Sequence, residues 1–392
     1  MINRALSPTL ALSKKSILLL GPRQTGKSTL IHSLNPNLTI NLAHEPTYLD
    51  FLSNPRQLEQ QLAPFKGNIS VLIDEVQRLP SLLNTVQVLL DDPKNKVKFY
   101  LTGSSARKLK RGHANLLPGR IHTYNLNPLS CGELGYALET SKGLAYGTLP
   151  GVWVETDLRT KEKTLRSYAA TYIKEEVQAE NLSRNLEGFA RFLNIAAAWS
   201  GQFLDLAKLS SLAQIARQTA VRYFEVLEEC LVVRRFNAFS GSLVKRMVQH
   251  PKFYFFDNGV LNALLGNFTV SEDRIGNLFE HLIYNQIMNE AGSLDKDISV
   301  TTYRTEHGME VDMIIELEGE VYAVEIKASK SIHTHQLRGL EKFREHYEKK
   351  HRSIILYQGE TIKEINGIHI WPWQQGIYNI FNQGNYGQLP IV

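Results

Sequence analysis

The stretch SILLLGPRQTGKST, residues 16–29, decides the fold of the first part of the chain. Its apolar beginning predicts a short buried strand, and the residues that follow it, Leu30–Leu34, predict a helix. Between them the pattern G-x-x-x-x-G-K-S/T is complete, and backbone N–H groups in such a loop surround phosphate oxygens. The sequence therefore predicts a nucleotide-binding loop made of Gly21, Pro22, Arg23, Gln24, Thr25, Gly26, Lys27, Ser28 and Thr29.

A second apolar stretch supplies the acidic partner that such a loop needs. Residues 71–73 predict a buried strand, and two carboxylates, Asp74 and Glu75, stand at its end. We expect Lys27 to reach the β- and γ-phosphates of ATP, and Ser28 and Asp74 to bind Mg²⁺. Glu75 is then placed to orient and deprotonate the attacking water.

A third strand is predicted over residues 97–101, and it ends in a polar tip where the hydroxyl of Ser104 can contact the γ-phosphate or the attacking water. Basic residues without any acidic one follow between Thr102 and His122, namely Arg107, Lys108, Lys110, Arg111 and Arg120. A solvated helix and loop explains most of such a run. Arg120 is different, because it begins a further predicted strand and the sequence shows no partner for it within the chain.

Together these features resemble the ATPase core of prokaryotic AAA+ proteins of the archaeal-type ATPase branch. The resemblance covers residues 14–130 and includes the DEVQ sequence at 74–77, the TGSSA strand end at 102–106 and the LPGR sequence that ends at residue 120. It implies ATP and Mg²⁺ as cofactors. In this family an arginine after the TGSSA segment acts on the nucleotide of a neighbouring subunit. The resemblance therefore implies a homo-oligomer, expected to be a closed hexameric ring, with Arg120 as the first candidate for that arginine and Arg111 as the second.

The middle of the chain predicts helical structure. Prolines and glycines up to residue 150, followed by helical spacing, predict a helical lid. Three short amphipathic helices and the β-branched pair Val232-Val233 then predict a winged helix-turn-helix. Its third helix would present Arg217 and Arg222 to DNA phosphates, with Arg234 and Arg235 close by. A module that only packs between the other domains remains an open alternative, because a fold does not fix a function.

The C-terminal third carries a second set of chemical groups on two predicted strands. These strands, over residues 311–316 and 321–327, are joined by a Glu-Gly-Glu turn, which predicts a hairpin. Alternation places Glu325 and Lys327 on one face of the second strand, and Asp312 can lie beside Glu325 on the first. Carboxylates in this arrangement bind Mg²⁺ or Mn²⁺ with positions left for phosphate oxygens, and a lysine stabilises developing charge.

Asp312 and the Glu325-x-Lys327 sequence resemble the PD-(D/E)xK nuclease core, with Glu280 matching the acidic residue on the first helix of that family. Val311 stands where the family signature often has proline. The resemblance implies that Glu280, Asp312, Glu325 and Lys327 are catalytic and that Asp312 and Glu325 bind Mg²⁺ or Mn²⁺. Cleavage of DNA, binding of metal or nucleic acid without cleavage, and a relic that does neither all remain open.

Composition and charge limit the class of protein. The chain has 392 residues, a formal net charge of +5 and a sequence pI of about 8.9, a mild basic excess that permits nucleic acid without requiring it. The two cysteines, Cys131 and Cys230, exclude a disulfide framework. No apolar run reaches the roughly 18 residues of a membrane span. We expect a cytoplasmic protein without a membrane segment.

The expected fold class is α/β, with a parallel-sheet AAA+ P-loop core over residues 1–130, a helical lid over 131–186, a winged helix-turn-helix over 187–250 and a restriction-endonuclease-like α/β domain over 251–392. The expected function is Mg²⁺-dependent ATP hydrolysis coupled to binding or remodelling of DNA, branched DNA included, with a metal-dependent nuclease site in addition. The alternative is a regulatory switch ATPase that acts on a protein partner and has an inactive nuclease-like domain.

Overall fold

The computed structural model describes residues 2–104, 117, 119–172, 186–239, 251–305 and 308–382. The chain forms two compact units. Unit 1 covers Met1–Asn127 with the short segments Glu229–Leu231 and Gly292–Asp295, and unit 2 covers Pro128–Glu228, Val232–Ala291 and Lys296–Val392. The division after Asn127 lies close to the expected end of the ATPase core at residue 130, and the expected limits further along the chain stay predictions.

Unit 1 is built on a parallel five-stranded sheet with helices on both faces. Its strands are β1 (Ser16–Leu20), β2 (Leu38–Asn41), β3 (Ile69–Asp74), β4 (Val97–Gly103) and β5 (Ile121–Asn125). Its helices are α1 (Ser7–Leu12), α2 (Lys27–His32), α3 (Glu45–Ser53), α4 (Gln57–Leu62) and α5 (Leu82–Asp91), with a 3-10 turn at Val76–Arg78. The strand order is β2-β3-β4-β1-β5, and each pairing is parallel. The expected α/β fold with a parallel-sheet core is thus confirmed.

Strand β1 is buried over its whole length because apolar layers cover both faces of the sheet. Leu18 and Leu20 point into one layer, whereas Ile17 and Leu19 point into the other. A strand that is apolar on both faces cannot be an edge strand of a solvated sheet, and β1 lies between β4 and β5.

The carboxyl ends of β1, β3 and β4 meet at one edge of this sheet. Leu20 at the end of β1 is paired with Gly103 at the end of β4, and Ile73 near the end of β3 is paired with Leu101. The segments that follow these strands are therefore brought together, although they are far apart in the sequence.

The chain after residue 127 contains a six-stranded mixed sheet, a two-stranded sheet and further helices. The strands are β6 (Val233–Phe236), β7 (Lys252–Phe255), β8 (Ile298–Arg304), β9 (Glu310–Leu317), β10 (Glu320–Lys327), β11 (Arg352–Tyr357), β12 (Lys363–Ile365) and β13 (Ile368–Pro372). The helices are α6 (Thr140–Tyr146), α7 (Pro150–Val154), α8 (Leu158–Ser167), α9 (Leu186–Ala198), α10 (Leu206–Leu212), α11 (Arg217–Glu229), α12 (Asn258–Leu264), α13 (Glu272–Ser293), α14 (Arg338–His346) and α15 (Trp373–Phe381). The larger sheet has the order β12-β13-β11-β10-β9-β8.

Strands β9 and β10 form the hairpin that the sequence predicts. They are antiparallel, with Met313 opposite Val324, and the turn residues Glu318 and Gly319 have φ values of 50° and 85°. Continuing this register by one residue places Asp312 next to Glu325, as the alternation of side chains along a strand requires.

Helices α9, α10 and α11 occur in the part of the sequence where three helices are predicted, and β6 follows them. The segment Lys252–Phe255, which follows the expected domain limit at residue 250, is β7 and pairs with β6. All four residues of β7 are buried, which is typical of an interior strand. The winged-helix interpretation of these elements stays a prediction.

Helix α13 carries a fully buried histidine, His281, whose Nε2 lies 2.6 Å from the carbonyl oxygen of Phe255. Its Nδ1 is buried and has no hydrogen-bond partner within the part of the chain that the structure describes. Burial, helped by the charge of Arg234, lowers the pKa of His281 to about 4. An unfolded histidine titrates near pH ~6.5, so the folded state keeps His281 neutral and disfavours its protonation.

We expect acid to destabilise the protein through His281. Stability from this group is complete above pH ~6.5 and falls by about 1.4 kcal/mol per pH unit down to the folded pKa, a total of about 3 kcal/mol. His281→Gln keeps an N–H donor for the Phe255 carbonyl oxygen but cannot titrate. Urea unfolding between pH 7.5 and 4.5 measures the effect.

The difference between the wild type and His281→Gln isolates this histidine from other titrating groups. Asp257 is one of them, because burial raises its pKa to about 6, which makes the protein more stable as the pH falls. Equal pH slopes for the wild type and His281→Gln would contradict the assignment.

Candidate functional site

Sterics shape the loop after β1. A β-carbon on Gly21 would lie 2.1 Å from the carbonyl oxygen of Leu126, and Gly26 has a φ of 90°, in the left-handed region that favours glycine. Lys27 begins α2 with only 5% of its surface exposed, and its Nζ donates hydrogen bonds to the carbonyl oxygens of Gly21 and Pro22, both at 2.9 Å. The loop therefore curls around the lysine ammonium.

Arg4 supports the same loop from the N-terminal segment. Its guanidinium donates hydrogen bonds to the carbonyl oxygens of Thr25 at 2.6 Å and Asn127 at 2.8 Å. The Thr25 hydroxyl in turn donates to the carbonyl oxygen of Pro22 at 2.9 Å. The sequence analysis missed Arg4, because no motif marks an isolated arginine near the start of a chain.

The two residues expected to bind Mg²⁺ lie side by side. The hydroxyl of Ser28 is 2.8 Å from both carboxylate oxygens of Asp74. The Thr102 hydroxyl also donates to Asp74 and accepts a hydrogen bond from the backbone N–H of Glu75 at 3.1 Å. Hydroxyl and carboxylate oxygens are ligands that Mg²⁺ prefers. The residues present therefore fit a magnesium ion next to the phosphate loop.

Glu75 has a constrained backbone and a buried neighbour. Its φ of 59° and ψ of 43° lie in the left-handed region, which a non-glycine residue adopts at a cost. Gln77, 5% exposed, donates from Nε2 to the Glu75 carboxylate and, at 3.1 Å, to the hydroxyl of Ser104. This side chain links the expected general base to Ser104, and the sequence analysis gave it no role. Its place in the DEVQ sequence was the available signal.

Arg120 has a partner within its own unit. Its Nε donates to the carboxylate of Asp91 at the end of α5, and the Arg120 side chain is 37% exposed. The expectation that this arginine has no partner in the chain was therefore wrong, because Asp91 lies far from it in sequence and is brought near by the fold. Arg111, the second candidate, lies outside the described residues, as do Arg107, Lys108 and Lys110.

Asp312, Glu325 and Lys327 come together on β9 and β10. The Lys327 Nζ lies 2.9 Å from Glu325 Oε2, and the backbone N–H of Ile326 donates to Asp312 Oδ2 at 2.8 Å. The Asp312 and Glu325 carboxyl groups also share a hydrogen bond. Burial, followed by the charge of Asp312, raises the pKa of Glu325 well above its ordinary value. Glu325 therefore keeps its proton to a higher pH than an exposed glutamate.

Glu280 on α13 interacts with a different set of groups. Its Oε1 accepts hydrogen bonds from the Tyr254 hydroxyl at 2.5 Å and from the Lys252 ammonium at 3.1 Å. The same ammonium lies 2.6 Å from Oε1 of Glu310. Burial and then the charge of Asp312 raise the pKa of Glu280. We name Glu280, Glu310, Asp312 and Glu325 the acidic cluster.

The acidic cluster as it stands does not fit the Mg²⁺ or Mn²⁺ that the nuclease resemblance implies. Within the described ranges, no group of three or more His, Cys, Asp or Glu side chains is arranged to hold a metal ion. The Asp312 and Glu325 carboxyls contact each other, whereas Glu280 is bonded to Lys252 and Tyr254. Positive charge at the cluster comes from Lys252 and Lys327.

The arginines expected to contact DNA differ in their surroundings. Arg217 and Arg222 are exposed on α11. Arg235 pairs with Glu228 at 2.6 Å, and its guanidinium lies over the ring of Phe224 at 5.1 Å from the ring centre. Arg235 therefore lies against α11, the helix that carries Arg217 and Arg222.

Arg234 points the other way, because successive residues of a strand face opposite sides. It is half-buried, its Nη1 lies 3.4 Å from Oδ1 of Asn285, and burial lowers its pKa to about 10. Arg234 and Arg235 therefore face opposite sides of β6, and the expectation that all four arginines contact DNA phosphates stays a prediction.

The parallel sheet and its loop match a known family. Residues 13–135 match the family model described as an AAA domain, which supports an AAA-type ATPase. Residues 139–271 and 275–375 match two domains of unknown function, DUF8612 and DUF4143. The chain is 28% identical over 322 residues to an uncharacterized protein of Mycobacterium tuberculosis, covering 79% of this chain and 70% of the relative. An uncharacterized protein of Mycobacterium bovis matches with the same 28% identity and the same coverage.

Solved structures give weaker similarities. A signal transduction ATPase with numerous domains and a tetratricopeptide repeat sensor, from Pyrococcus horikoshii, has 12% identity and a TM-score of 0.23, covering 74% of this chain and 45% of that one. A DNA polymerase III gamma subunit-related protein from Thermotoga maritima has 12% identity and a TM-score of 0.23, with coverages of 58% and 98%. This chain thus spans less than half the length of the Pyrococcus protein.

Both cysteines, Cys131 and Cys230, are buried, and they are not joined in a disulfide. Among the helices in the described part of the chain, none combines the length and the apolar character needed to cross a membrane.

Proposed function

We propose that unit 1 is a Mg²⁺-dependent ATP hydrolase. The observation that carries this proposal is the contact between Ser28 and Asp74, whose oxygens lie 2.8 Å apart beside the loop that encloses Lys27. A hydroxyl directly after the loop lysine and an aspartate at a strand end are the protein ligands of Mg²⁺ in P-loop enzymes. The match of residues 13–135 to an AAA domain supports the same activity.

Each group at this edge of the sheet has a distinct task in the proposed reaction. Bound Mg²⁺ supplies positive charge next to the β- and γ-phosphates. Lys27 exchanges its two carbonyl partners for phosphate oxygens, which are stronger acceptors because they are charged. Glu75 accepts the proton of the attacking water. Gln77 fixes the direction of the Glu75 carboxylate, and Ser104 joins the same hydrogen-bonded chain.

Substitution of Lys27 and Glu75 separates binding from hydrolysis. Lys27→Ala removes the charge that neutralises the phosphates, so we expect loss of nucleotide binding. Glu75→Gln keeps the shape of the side chain but removes the base, so nucleotide binding stays and turnover falls by at least about 100-fold. Titration with a fluorescent ATP analogue and phosphate release measure the two effects, with the exposed Lys94→Ala as control. Wild-type turnover by Glu75→Gln would remove Glu75 from the mechanism.

We propose in addition that the ATPase acts as a closed homo-oligomeric ring in which Arg120 contacts the nucleotide of the neighbouring subunit. The ion pair of Arg120 with Asp91 is compatible with this role, because an exposed pair of this kind is worth only about 0–1 kcal/mol. A phosphate with a larger charge can therefore draw the guanidinium away from Asp91.

Comparison of Arg120→Ala with Asp91→Ala tests this role, since both variants break the same ion pair. We expect Arg120→Ala to lower turnover by about 10³-fold or more and Asp91→Ala to leave it nearly unchanged. Mixing Arg120→Ala with Glu75→Gln subunits should restore part of the activity at mixed interfaces. Equal loss of activity and stability in both variants would assign Arg120 a role within its own chain, and a monomer by light scattering with ATP would contradict the ring.

DNA binding through α11 is the second proposed function. We propose that the nucleotide state of unit 1 controls this binding and that the protein is cytoplasmic. Arg217 and Arg222 are exposed on α11. This helix follows α9 and α10 and precedes the two-stranded sheet of β6 and β7, which is the order of elements in a winged helix-turn-helix. The net charge of +5 favours an anionic partner. Branched DNA is included as a substrate, and the regulatory ATPase with a protein partner is the alternative.

Salt dependence identifies phosphate contacts by Arg217 and Arg222. Each lost contact lowers the slope of log affinity against log salt by about 0.9, so the double alanine variant should lose about 1.8. Arg166→Ala, on α8 and paired with Glu162, is the matched control and should not change the slope. Binding to duplex and four-way-junction DNA is measured with Glu75→Gln in ATP and in ADP. An unchanged slope in the double variant, or no DNA binding by the wild type, favours the protein partner instead.

A further inference from the structure

Lys252 is an unusual residue for a buried strand. It begins β7, its side chain is 6% exposed, and its ammonium contacts two carboxylates of the acidic cluster, Glu310 at 2.6 Å and Glu280 at 3.1 Å. A buried lysine is costly unless it is paired, and here two pairs are present. The sequence analysis gave Lys252 no role.

The backbone and one aromatic contact hold Lys252 in this place. Its backbone pairs with Phe236 of β6 and forms a bridge with Phe203. Its Nζ lies 5.4 Å from the centre of the Phe203 ring, which also has the guanidinium of Arg304 at 4.8 Å. The fold thus holds the ammonium group in the interior and not on an exposed surface.

Lys252 stays charged in this environment. Burial alone would lower its pKa, but the negative charge of Glu280 and smaller contributions that include Asp312 and Glu310 raise it above the ordinary value. The acidic cluster therefore contains a permanent cation at neutral pH.

The position of this cation explains why the cluster does not have the arrangement of a metal site. Lys252 and the Tyr254 hydroxyl both bond to Oε1 of Glu280, whereas Glu325 bonds to Asp312 and to Lys327. Three carboxylates that could surround one divalent ion are thereby divided between two lysines. A divalent ion added to this arrangement would meet the repulsion of an ammonium group only a few ångströms away.

We infer that Lys252 takes the place of a divalent metal ion in the acidic cluster. Unit 2 then carries a cluster of ion pairs at this position instead of a metal centre. This inference is independent of ATP hydrolysis, because unit 1 supplies none of its residues. It also means that these carboxylates cannot support metal-dependent DNA cleavage as long as Lys252 stays in place.

Replacement of the lysine by a neutral side chain of similar length tests this inference. Lys252→Met leaves the carboxylates without their cation, so the variant should be less stable than the wild type and should gain a Mn²⁺ site. Isothermal titration of the full chain with Mn²⁺, without nucleotide, is compared for the wild type, Asp312→Asn, Lys252→Met and Lys252→Met with Asp312→Asn. We expect a new Mn²⁺ site only in Lys252→Met, its loss in the double variant, and a rise in melting temperature with Mn²⁺ in Lys252→Met alone.

Each outcome decides the inference. Mn²⁺ binding by the wild type that Asp312→Asn abolishes would overturn it, because the metal would then bind with Lys252 present. Failure of folded Lys252→Met to gain a site would overturn it as well. If Lys252→Met does not fold, Lys252→Met with Glu310→Gln removes one of the unpaired charges and takes its place. Lys296→Met, which breaks the ion pair with Glu318 on the same unit, is the matched control and should gain no Mn²⁺ site.

Discussion

Parallel pairing of β1 with β4 on one side and β5 on the other is the interaction on which the nucleotide site depends. Because parallel strands run in one direction, the phosphate loop, Asp74 and Ser104 all follow strand ends at the same edge. A slip of one residue in β1 would turn Ile17 and Leu19 into the layer that Leu18 and Leu20 now fill. The apolar residues of β1 therefore set the position of the loop as much as its glycines do.

Those parts of the site whose information is local in the sequence could be predicted from it. The phosphate loop and the acidic strand end follow from motifs in which each residue has a fixed neighbour, and the structure brings Ser28 and Asp74 together as expected. Arg4, Gln77 and Asp91 were not predictable in the same way. Arg4 and Asp91 make contacts that span many residues of the chain and leave no pattern in the sequence, whereas Gln77 lies two residues from Glu75 and only its place in the DEVQ sequence signals it.

In unit 2, contacts between residues distant in sequence limit what the sequence can predict even more. Alternation along β9 and β10 was enough to place Asp312 beside Glu325, because both residues belong to one hairpin. The partner of Glu280 was beyond such reasoning, because Lys252 lies on β7, which pairs with β6 rather than with the hairpin, and no motif links it to Glu280. Charge patterns also misled at β6, where the neighbours Arg234 and Arg235 face opposite sides and serve different contacts.

Gly103 has a consequence for which side chains positions 77 and 103 can carry together. A β-carbon at this position would lie 2.9 Å from Oε1 of Gln77, so the absence of a side chain at the end of β4 provides the space in which the glutamine amide sits. Residues 77 and 103 are therefore constrained as a pair. Alanine at the strand end would require the end of the Gln77 side chain to shift, and with it the amide that donates to Glu75 and Ser104.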